Sequence, residues 1–214
     1  MKISAIVLSG GNAERLGGEK PFRRWKESYL IESTIRVLVE MKIPFVLVFK
    51  NIRYLDSDHI DKIVYLLKKY RQTVTWDVIY NRGPTVGILS GMRITEGDWI
   101  LVLPCDTPFI NRESLENLLK YIDTAESKGY NCIVPKHENG YIEPLFSLYK
   151  KSSLNTLEKL VKEITVRNKG IPIRELIQRL NPLYVSSKDI DRSKRVFINI
   201  NTFEDLKNYD SSLP

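Results

Sequence analysis

The sequence predicts an α/β protein: a Rossmann-like three-layer α/β/α sandwich around a mostly parallel, mixed central sheet. Three observations predict it. The apolar, β-branched run at residues 2–9 is typical of a buried strand of a parallel sheet, and it leads into a glycine-rich loop. Strand and helix patterns then alternate through residue 135, which favours helices on both faces of a sheet. The hairpin signal Asn139-Gly140 interrupts this alternation and indicates that the sheet is mixed.

The remaining elements follow from the spacing of apolar residues. Helical spacing occurs near residues 29–42, 60–67, 85–94, 115–122, 154–161 and 173–180. Runs rich in β-branched and aromatic residues predict strands at 45–49, 73–80, 99–103, 131–136, 141–149, 182–186 and 196–200. Thr202 and Asp205 have the spacing of a capping box that opens a last helix.

The length of 214 residues, of which 43% are hydrophobic, predicts a single domain over residues 1–214 with a real core. No run approaches the about 20 apolar residues of a membrane span, and residues 1–20 lack the layout of a signal peptide. Cys105 and Cys132 form neither a disulfide framework nor the spacing of a zinc site. These features predict a cytoplasmic protein with no membrane partner.

The formal net charge of +7 favours anionic partners such as nucleotides and phosphorylated small molecules. The densest basic clusters lie at residues 23–26 and 68–71. No nucleic-acid module accompanies them, so solvated surface is the favoured interpretation and no nucleic-acid partner is predicted.

The loop at residues 10–20 contains four glycines, Arg15 and Lys20. Free backbone N–H groups beside two fixed cations suit a polyphosphate. Five residues separate Gly11 from Gly17, which excludes a P-loop, and no phase of the loop supplies the Gly-x-Gly-x-x-Gly fingerprint. A polyphosphate loop is the favoured interpretation, and an ordinary glycine-rich surface turn is the alternative.

Asp106 follows the apolar strand at 99–103 and is framed by Pro104 and Pro108. This rigid turn predicts a carboxylate at the sheet edge, beside the glycine loop. Magnesium takes one or two protein carboxylates and completes its shell with phosphate oxygens and water. On these residues alone, a metal ligand and a cap for the turn or for the helix near Asn111 are equally good interpretations.

The start of the chain resembles the signature of the nucleotidyltransferase superfamily with the nucleotide-diphospho-sugar fold, although Glu19 stands where most members have aspartate. The matching pattern is Leu-Ser-Gly-Gly, three residues, Arg, one residue, Gly, two residues, Lys. The resemblance implies that Arg15 and Lys20 neutralise the phosphates of a nucleoside triphosphate. It also implies backbone contacts to that nucleotide from Leu8, Ser9, Gly10 and Gly11.

Three further motifs are similar to those of molybdenum cofactor guanylyltransferases. They are Gly-Pro-Thr-Val-Gly at 83–87, Pro-Cys-Asp-Thr-Pro at 104–108 and Asn-Ile-Asn-Thr at 199–202. Their order and separation match that family from residue 3 to about residue 208. The Pro-Cys-Asp-x-Pro form is the most diagnostic of the three.

This resemblance assigns roles to further residues. Asp106 is implied to be the Mg²⁺ ligand, and Asn201 is a weaker candidate for a second ligand, with positioning of the last helix as its alternative. Gly83 and Gly87 are implied to line the nucleotide. Asn81 stands where the family usually has an aspartate that recognises guanine or its ribose, so the base preference is left open.

The implied reaction moves GMP from Mg-GTP onto the phosphate of molybdopterin or molybdenum cofactor, with release of pyrophosphate. Arg15, Lys20 and Asp106 are the implied catalytic residues, residues 1–110 the nucleotide-binding half and residues 111–214 the acceptor-side half. Transient contact with other cofactor-biosynthesis proteins is also implied.

The acceptor itself is poorly specified by the sequence. Residues 143–145 and the basic segment 167–174 lie where the acceptor is expected, although solvated surface is the favoured interpretation of Arg167, Lys169 and Arg174. His59 and His137 have no catalytic context and are predicted to be surface residues.

Three alternatives remain open. Gly-Glu-Lys-Pro at 18–21 and the segment 197–202 also resemble adenosylcobinamide-phosphate guanylyltransferases. Cytidylyl transfer to the same pterin is another possibility within this chemistry. A nucleotide-sensing domain without turnover is the non-enzyme alternative.

Overall fold

The computed structural model describes residues 1–9, 20–79 and 82–209. Within them, seven strands form one sheet in the order β5-β4-β1-β6-β8-β7-β9, in which β8 alone runs antiparallel to its neighbours. A small separate hairpin is formed by β2 and β3. The strands are β1 (Ile3–Leu8), β2 (Arg24–Trp25), β3 (Ser28–Tyr29), β4 (Phe45–Phe49), β5 (Thr73–Trp76), β6 (Trp99–Pro104), β7 (Cys132–Lys136), β8 (Ser147–Lys150) and β9 (Pro182–Ser186).

Helices cover both faces of this sheet, which confirms the predicted three-layer α/β/α class. Alternation along β1 separates two cores, because Ala5 and Val7 pack on the side of α1, α2, α4 and α5, whereas Ile6 packs under α3, α6 and α7. The helices are α1 (Ile31–Glu40), α2 (Ser57–Tyr70), α3 (Pro84–Ile94), α4 (Arg112–Leu119), α5 (Ile122–Lys128), α6 (Leu154–Arg167), α7 (Ile173–Arg179), α8 (Ser187–Ile190) and α9 (Phe203–Tyr209).

Helix α3 lies unusually close to β1 because two glycines, one helical turn apart, face the strand. A Cβ atom at Gly91 would lie 2.8 Å from the side chain of Ile6, and one at Gly87 would lie 3.0 Å from Leu8 Cδ2. Gly83, the residue before the helix, has φ +88°, which a side chain rarely tolerates. These glycines set the start of α3 beside the carboxyl end of β1.

Two predicted strands on the acceptor side differ from the structure. Of residues 141–149, only those from Ser147 onward lie in a strand, and Ile142 makes a single antiparallel bridge to Lys136, because Pro144 has no N–H to donate to a continuous ladder. Residues 196–200 form no strand. The carboxylate of Asp191 accepts the backbone N–H groups of Ser193 (3.0 Å) and Val196 (3.1 Å), and this curls the chain into a 3₁₀ turn.

Two further boundaries differ. The predicted strand at 73–80 ends at Trp76, where its pairing with β4 ends. The helical stripe at 115–122 belongs to two helices that are separated at Lys120 and Tyr121. Among the described residues, no helix is long and apolar enough to cross a membrane.

The close packing of α3 on β1 predicts that Gly91→Ala destabilises the protein. Three side-chain atoms of the fully buried Ile6 would lie within 3 Å of the new methyl group. Overpacking of a core costs roughly 1–3 kcal/mol, and the gain in helix propensity recovers only about 1 kcal/mol. Because three contacts would be this short, we take the overpacking cost as roughly 2–3 kcal/mol, the upper part of that range. We therefore expect the free energy of unfolding, measured by urea titration, to fall by about 1–2 kcal/mol.

Arg93→Ala is the matched control, because Arg93 lies on the exposed side of α3 and pairs with Glu158 at 3.1 Å. Its expected effect is below about 1 kcal/mol. Equal stability of the Gly91→Ala variant and the wild type would contradict the packing account.

Candidate active site

A pocket of about 540 Å³ opens at the carboxyl ends of β1 and β6, between the start of α3 and the turn before β8. Parallel α/β sheets bind ligands at this edge. Every site residue that the sequence predicts and the structure describes lines this pocket. These residues are Leu8, Ser9, Lys20, Gly83, Gly87, Asp106 and Asn201.

Four predicted site residues lie outside the described part of the chain, so their roles stay predictions. They are Gly10, Gly11, Arg15 and Asn81.

Strand pairing brings the end of β1 and the turn after β6 together. Leu8 is in register with Pro104, and the N–H of Cys105 donates to the carbonyl of Leu8 at 3.2 Å. On its other side, the carbonyl of Asp106 accepts the N–H of Ile200 at 2.8 Å. The backbone at Asp106 is therefore fixed between the first strand and the C-terminal segment.

Lys20 joins the two polar groups predicted as metal ligands. Its ammonium forms an ion pair with Oδ2 of Asp106 and donates to Oδ1 of Asn201 at 2.6 Å. The side chains of Lys20 and Asp106 are each only 14% exposed, so the pair is shielded from solvent. Oδ1 of Asp106 is buried and receives no hydrogen bond from the described residues. The site thus concentrates one cation, one carboxylate and one amide oxygen.

Asn201 is placed by the capping box that the sequence predicts. Asp205 N–H donates to Thr202 Oγ1 at 3.0 Å, and Asp205 Oδ2 accepts the N–H groups of Thr202 and Asn201, each at 2.8 Å. Burial acts to raise the pKa of Asp205, but these hydrogen bonds outweigh it and the pKa lies below its usual value. Asn201 therefore lies directly before the cap of the last helix and lines the pocket.

Asp77 is a pocket residue that the sequence reasoning missed. It follows Trp76, the last residue of β5, and its N–H donates to the carbonyl of Phe49 at 2.9 Å. Its Oδ1 is buried without a described donor, and burial raises its pKa to about 7, against the charge of Lys50. A Cβ atom at Gly87 would lie 3.1 Å from this oxygen. The signal in the sequence was a carboxylate at the end of a strand. It was not recognised because the predicted strand continued to residue 80 and placed Asp77 inside it.

The prediction that His137 is a surface residue is wrong. Its side chain is 16% exposed, its Nε2 lies 2.8 Å from Oε1 of Glu143, and its ring packs edge-on against Phe197 at 5.2 Å. Glu143 lines the pocket, as do Tyr141 and Arg174. The histidine and the glutamate are six residues apart and meet only because the turn between β7 and β8 folds back.

Comparison with known proteins identifies the family. Residues 5–183 match the model of the MobA-like NTP transferase domain. A probable molybdenum cofactor guanylyltransferase of Methanocaldococcus jannaschii is 46% identical over 95% of this chain and 96% of its own length. One from Bacillus mycoides is 30% identical over 95% and 94%.

A solved structure supports the same assignment. The crystal structure of molybdopterin-guanine dinucleotide biosynthesis protein A from Archaeoglobus fulgidus matches with a TM-score of 0.73 and 28% identity, over 99% of this chain and 98% of that one. Sequence and fold thus agree over nearly the whole length. The chain is a nucleotidyltransferase that belongs to the MobA-like NTP transferase family.

Proposed function

We propose that this protein transfers GMP from GTP to the phosphate of molybdopterin or molybdenum cofactor and releases pyrophosphate, in the cytoplasm. The observation that carries the proposal is the shielded group of Lys20, Asp106 and Asn201, in a pocket lined by both halves of the chain. Residues 1–110 form the nucleotide side, and residues 111–214 form the acceptor side. The names of the curated relatives favour molybdopterin over adenosylcobinamide phosphate as the acceptor class.

The chemistry needs positioning and charge neutralisation more than covalent help. An oxygen of the acceptor phosphate attacks the α-phosphorus of GTP, the bond to the β-phosphate breaks, and pyrophosphate carries away that electron pair. A phosphate monoester is already anionic near neutral pH, so no general base is needed. Burial raises the pKa of the Cys105 thiol to about 12, so this neighbour of Asp106 stays protonated and is no nucleophile. Lys20, with Arg15, stabilises the leaving pyrophosphate.

The residues present fit a Mg²⁺ site. Asp106 and Asn201 supply oxygen ligands, and the unpartnered Oδ1 of Asp106 is suited to a cation. Bound Mg²⁺ would neutralise charge on the triphosphate. No group of three or more Asp, Glu, His or Cys side chains forms a metal cluster within the described residues, so phosphate oxygens and water have to complete the shell.

Asp77 is the proposed reader of the guanine base. Asp77 lines the pocket with Leu8 and Gly87, and a Cβ atom at Gly87 would lie 3.1 Å from Asp77 Oδ1 and 3.0 Å from Leu8 Cδ2. Guanine presents an amino group beside a ring N–H, and an ionised carboxylate accepts both hydrogen bonds. We therefore propose that Asp77, and not Asn81 alone, recognises the base.

The proposal predicts that Lys20→Ala and Asp106→Asn each lower kcat/KM for GMP transfer by roughly 10²–10³-fold, because each removes a fixed charge next to the reacting phosphates. The measurement is pyrophosphate release with GTP, ATP, CTP and UTP against molybdopterin and adenosylcobinamide phosphate. Lys188→Ala, which removes an exposed lysine paired with Glu138, is the control and should change the rate less than about twofold. Normal turnover of folded Lys20→Ala and Asp106→Asn variants would rule out this mechanism.

A second prediction concerns the order of binding. The ammonium of Lys20 contacts both Asp106 and Asn201. A divalent cation must therefore displace the ammonium from these oxygens, unless a bound triphosphate attracts it away first. We expect Lys20→Met to bind Mn²⁺ about 10- to 100-fold more tightly than the wild type without nucleotide, since a charge-assisted hydrogen bond contributes about 1.5–3 kcal/mol. Electron paramagnetic resonance of free Mn²⁺ measures this affinity directly.

The control for this measurement is the double variant Lys20→Met with Asp106→Asn, which should lose the gain. Equal Mn²⁺ affinity of the wild type and Lys20→Met would show that the lysine does not compete for the site.

A third prediction concerns pH. The pKa of Asp77 is raised to about 7, and guanine N–H groups prefer its ionised form, so GTP affinity should rise between pH 6 and pH 8. Asp77→Asn should flatten this rise and reduce the preference for GTP over ITP, which lacks the amino group. Isothermal titration calorimetry measures both effects.

Asp123→Asn, at an exposed position of α5, is the control and should keep the wild-type profile. A profile that is identical in Asp77→Asn and wild type would assign the pH dependence to the phosphates of GTP instead.

A further inference from the structure

The turn before β8 presents Glu143 to the acceptor side of the pocket on a rigid backbone. Its N–H donates to the carbonyl of Pro135 at 2.9 Å. Its carbonyl accepts the N–H of Phe146 at 3.1 Å and the hydroxyl of Ser147 at 2.6 Å. With both backbone groups satisfied, the side chain is the part of Glu143 left to meet a ligand.

His137 fixes that side chain. Its Nε2 lies 2.8 Å from Oε1 of Glu143, while its ring is held edge-on against Phe197 and its backbone N–H donates to the carbonyl of Tyr141 at 2.7 Å. Burial raises the pKa of Glu143 above its usual value, and the hydrogen bond to His137 opposes that rise without cancelling it. The histidine therefore favours the charged form of the carboxylate, which accepts hydrogen bonds.

The carboxylate is left with unused acceptor capacity. No described residue donates to Oε2 of Glu143, although the side chain is only 20% exposed. A carboxylate offers about four lone-pair positions, so Oε1 can also accept beyond its bond to His137. This acceptor capacity is available to donors from water or from a ligand in the pocket.

A planar ring with an amino group beside a ring N–H supplies two such donors, and their spacing matches that of the two oxygens of a carboxylate. Two ligands of the proposed reaction carry this edge, the guanine of GTP and the pterin of the acceptor. Besides Asp106, the pocket has two carboxylates with unused acceptor capacity: Asp77, whose Oδ1 has no described donor, and Glu143, whose Oε2 has none.

We propose that Glu143, positioned by His137, accepts hydrogen bonds from the amino group and ring N–H of the acceptor's pterin and thereby selects the acceptor. The inference rests on the proposed function. Glu143 belongs to the acceptor half, next to Tyr141, an exposed aromatic ring 5.4 Å from the guanidinium of Arg174. Asp77 lies near Leu8 on the nucleotide half and is the proposed partner of guanine. Glu143 is therefore the carboxylate available for the pterin ring of the acceptor.

Two fluorescent compounds, pterin and lumazine, differ at one group of the ring and test this assignment. Pterin carries the amino group, whereas lumazine has an oxygen in its place that would face the carboxylate. We expect the wild type to bind pterin at least tenfold more tightly than lumazine, and Glu143→Gln to lose this preference, because the carboxylate is a stronger acceptor and the amide presents a donor. His137→Gln should lose part of the preference, and thermal unfolding confirms that each variant is folded.

Glu138→Gln is the matched control, since Glu138 lies on the same turn, is exposed and pairs with Lys188. It should keep the wild-type preference. GTP affinity should change less than twofold in Glu143→Gln. The inference is overturned if Glu143→Gln retains the preference, if the wild type has none, or if Glu143→Gln loses the preference for GTP over ITP, which would place guanine there.

Turnover separates this inference from the proposed function. Wild-type protein that transfers GMP to molybdopterin, together with an unchanged pterin preference in Glu143→Gln, overturns the role of Glu143 alone. Absence of GMP transfer by the wild type overturns the proposed function, whatever the pterin titration shows.

Discussion

The contact between Lys20 and Asp106 is the interaction on which the rest of the site depends. The two residues are 86 positions apart in the chain, and the sheet brings them together because β1 and β6 are parallel neighbours in register up to Leu8 and Pro104. Their following loops must then meet at one edge. The shielded position of the pair makes each charge costly without the other, so the two side chains hold together the edge of the pocket where we propose that a metal-bound triphosphate binds.

The glycines of α3 extend this arrangement to Asp77, the proposed reader of the base. Gly91 and Gly87 allow the helix to lie directly on Ile6 and Leu8, and the space next to Gly87 is taken by the carboxylate of Asp77. Burial without a donor keeps that carboxylate in an unfavourable environment. The fold thus maintains a destabilised group at the pocket, a common property of binding sites, and its cost falls when a ligand supplies the missing hydrogen bonds.

Elements with strong local patterns could be predicted from the sequence, but contacts that form only when the chain folds could not. The strands Phe45–Phe49 and Pro182–Ser186 match their predictions residue for residue, since each is bounded by clear breakers. The Asp106 turn was found because two prolines frame it. Asp77 was missed because β5 stops at Trp76, where pairing with β4 ends, although Val78, Ile79 and Tyr80 continue the strand pattern in the sequence. The pair of His137 and Glu143 was missed because a turn, and no periodicity, brings them together.

We propose that Lys20 and Asp106 separate when a metal-bound triphosphate binds in the pocket, so that Asp106 contacts the metal and Lys20 contacts the phosphates. The most direct measurement is a crystal structure with a non-hydrolysable GTP analogue and Mn²⁺, located by its anomalous scattering. The account predicts a Mn²⁺ peak bound to Asp106, with the ammonium of Lys20 moved onto the phosphates. Nucleotide bound elsewhere, or an unchanged contact between Lys20 and Asp106 in the presence of bound nucleotide and Mn²⁺, would contradict it.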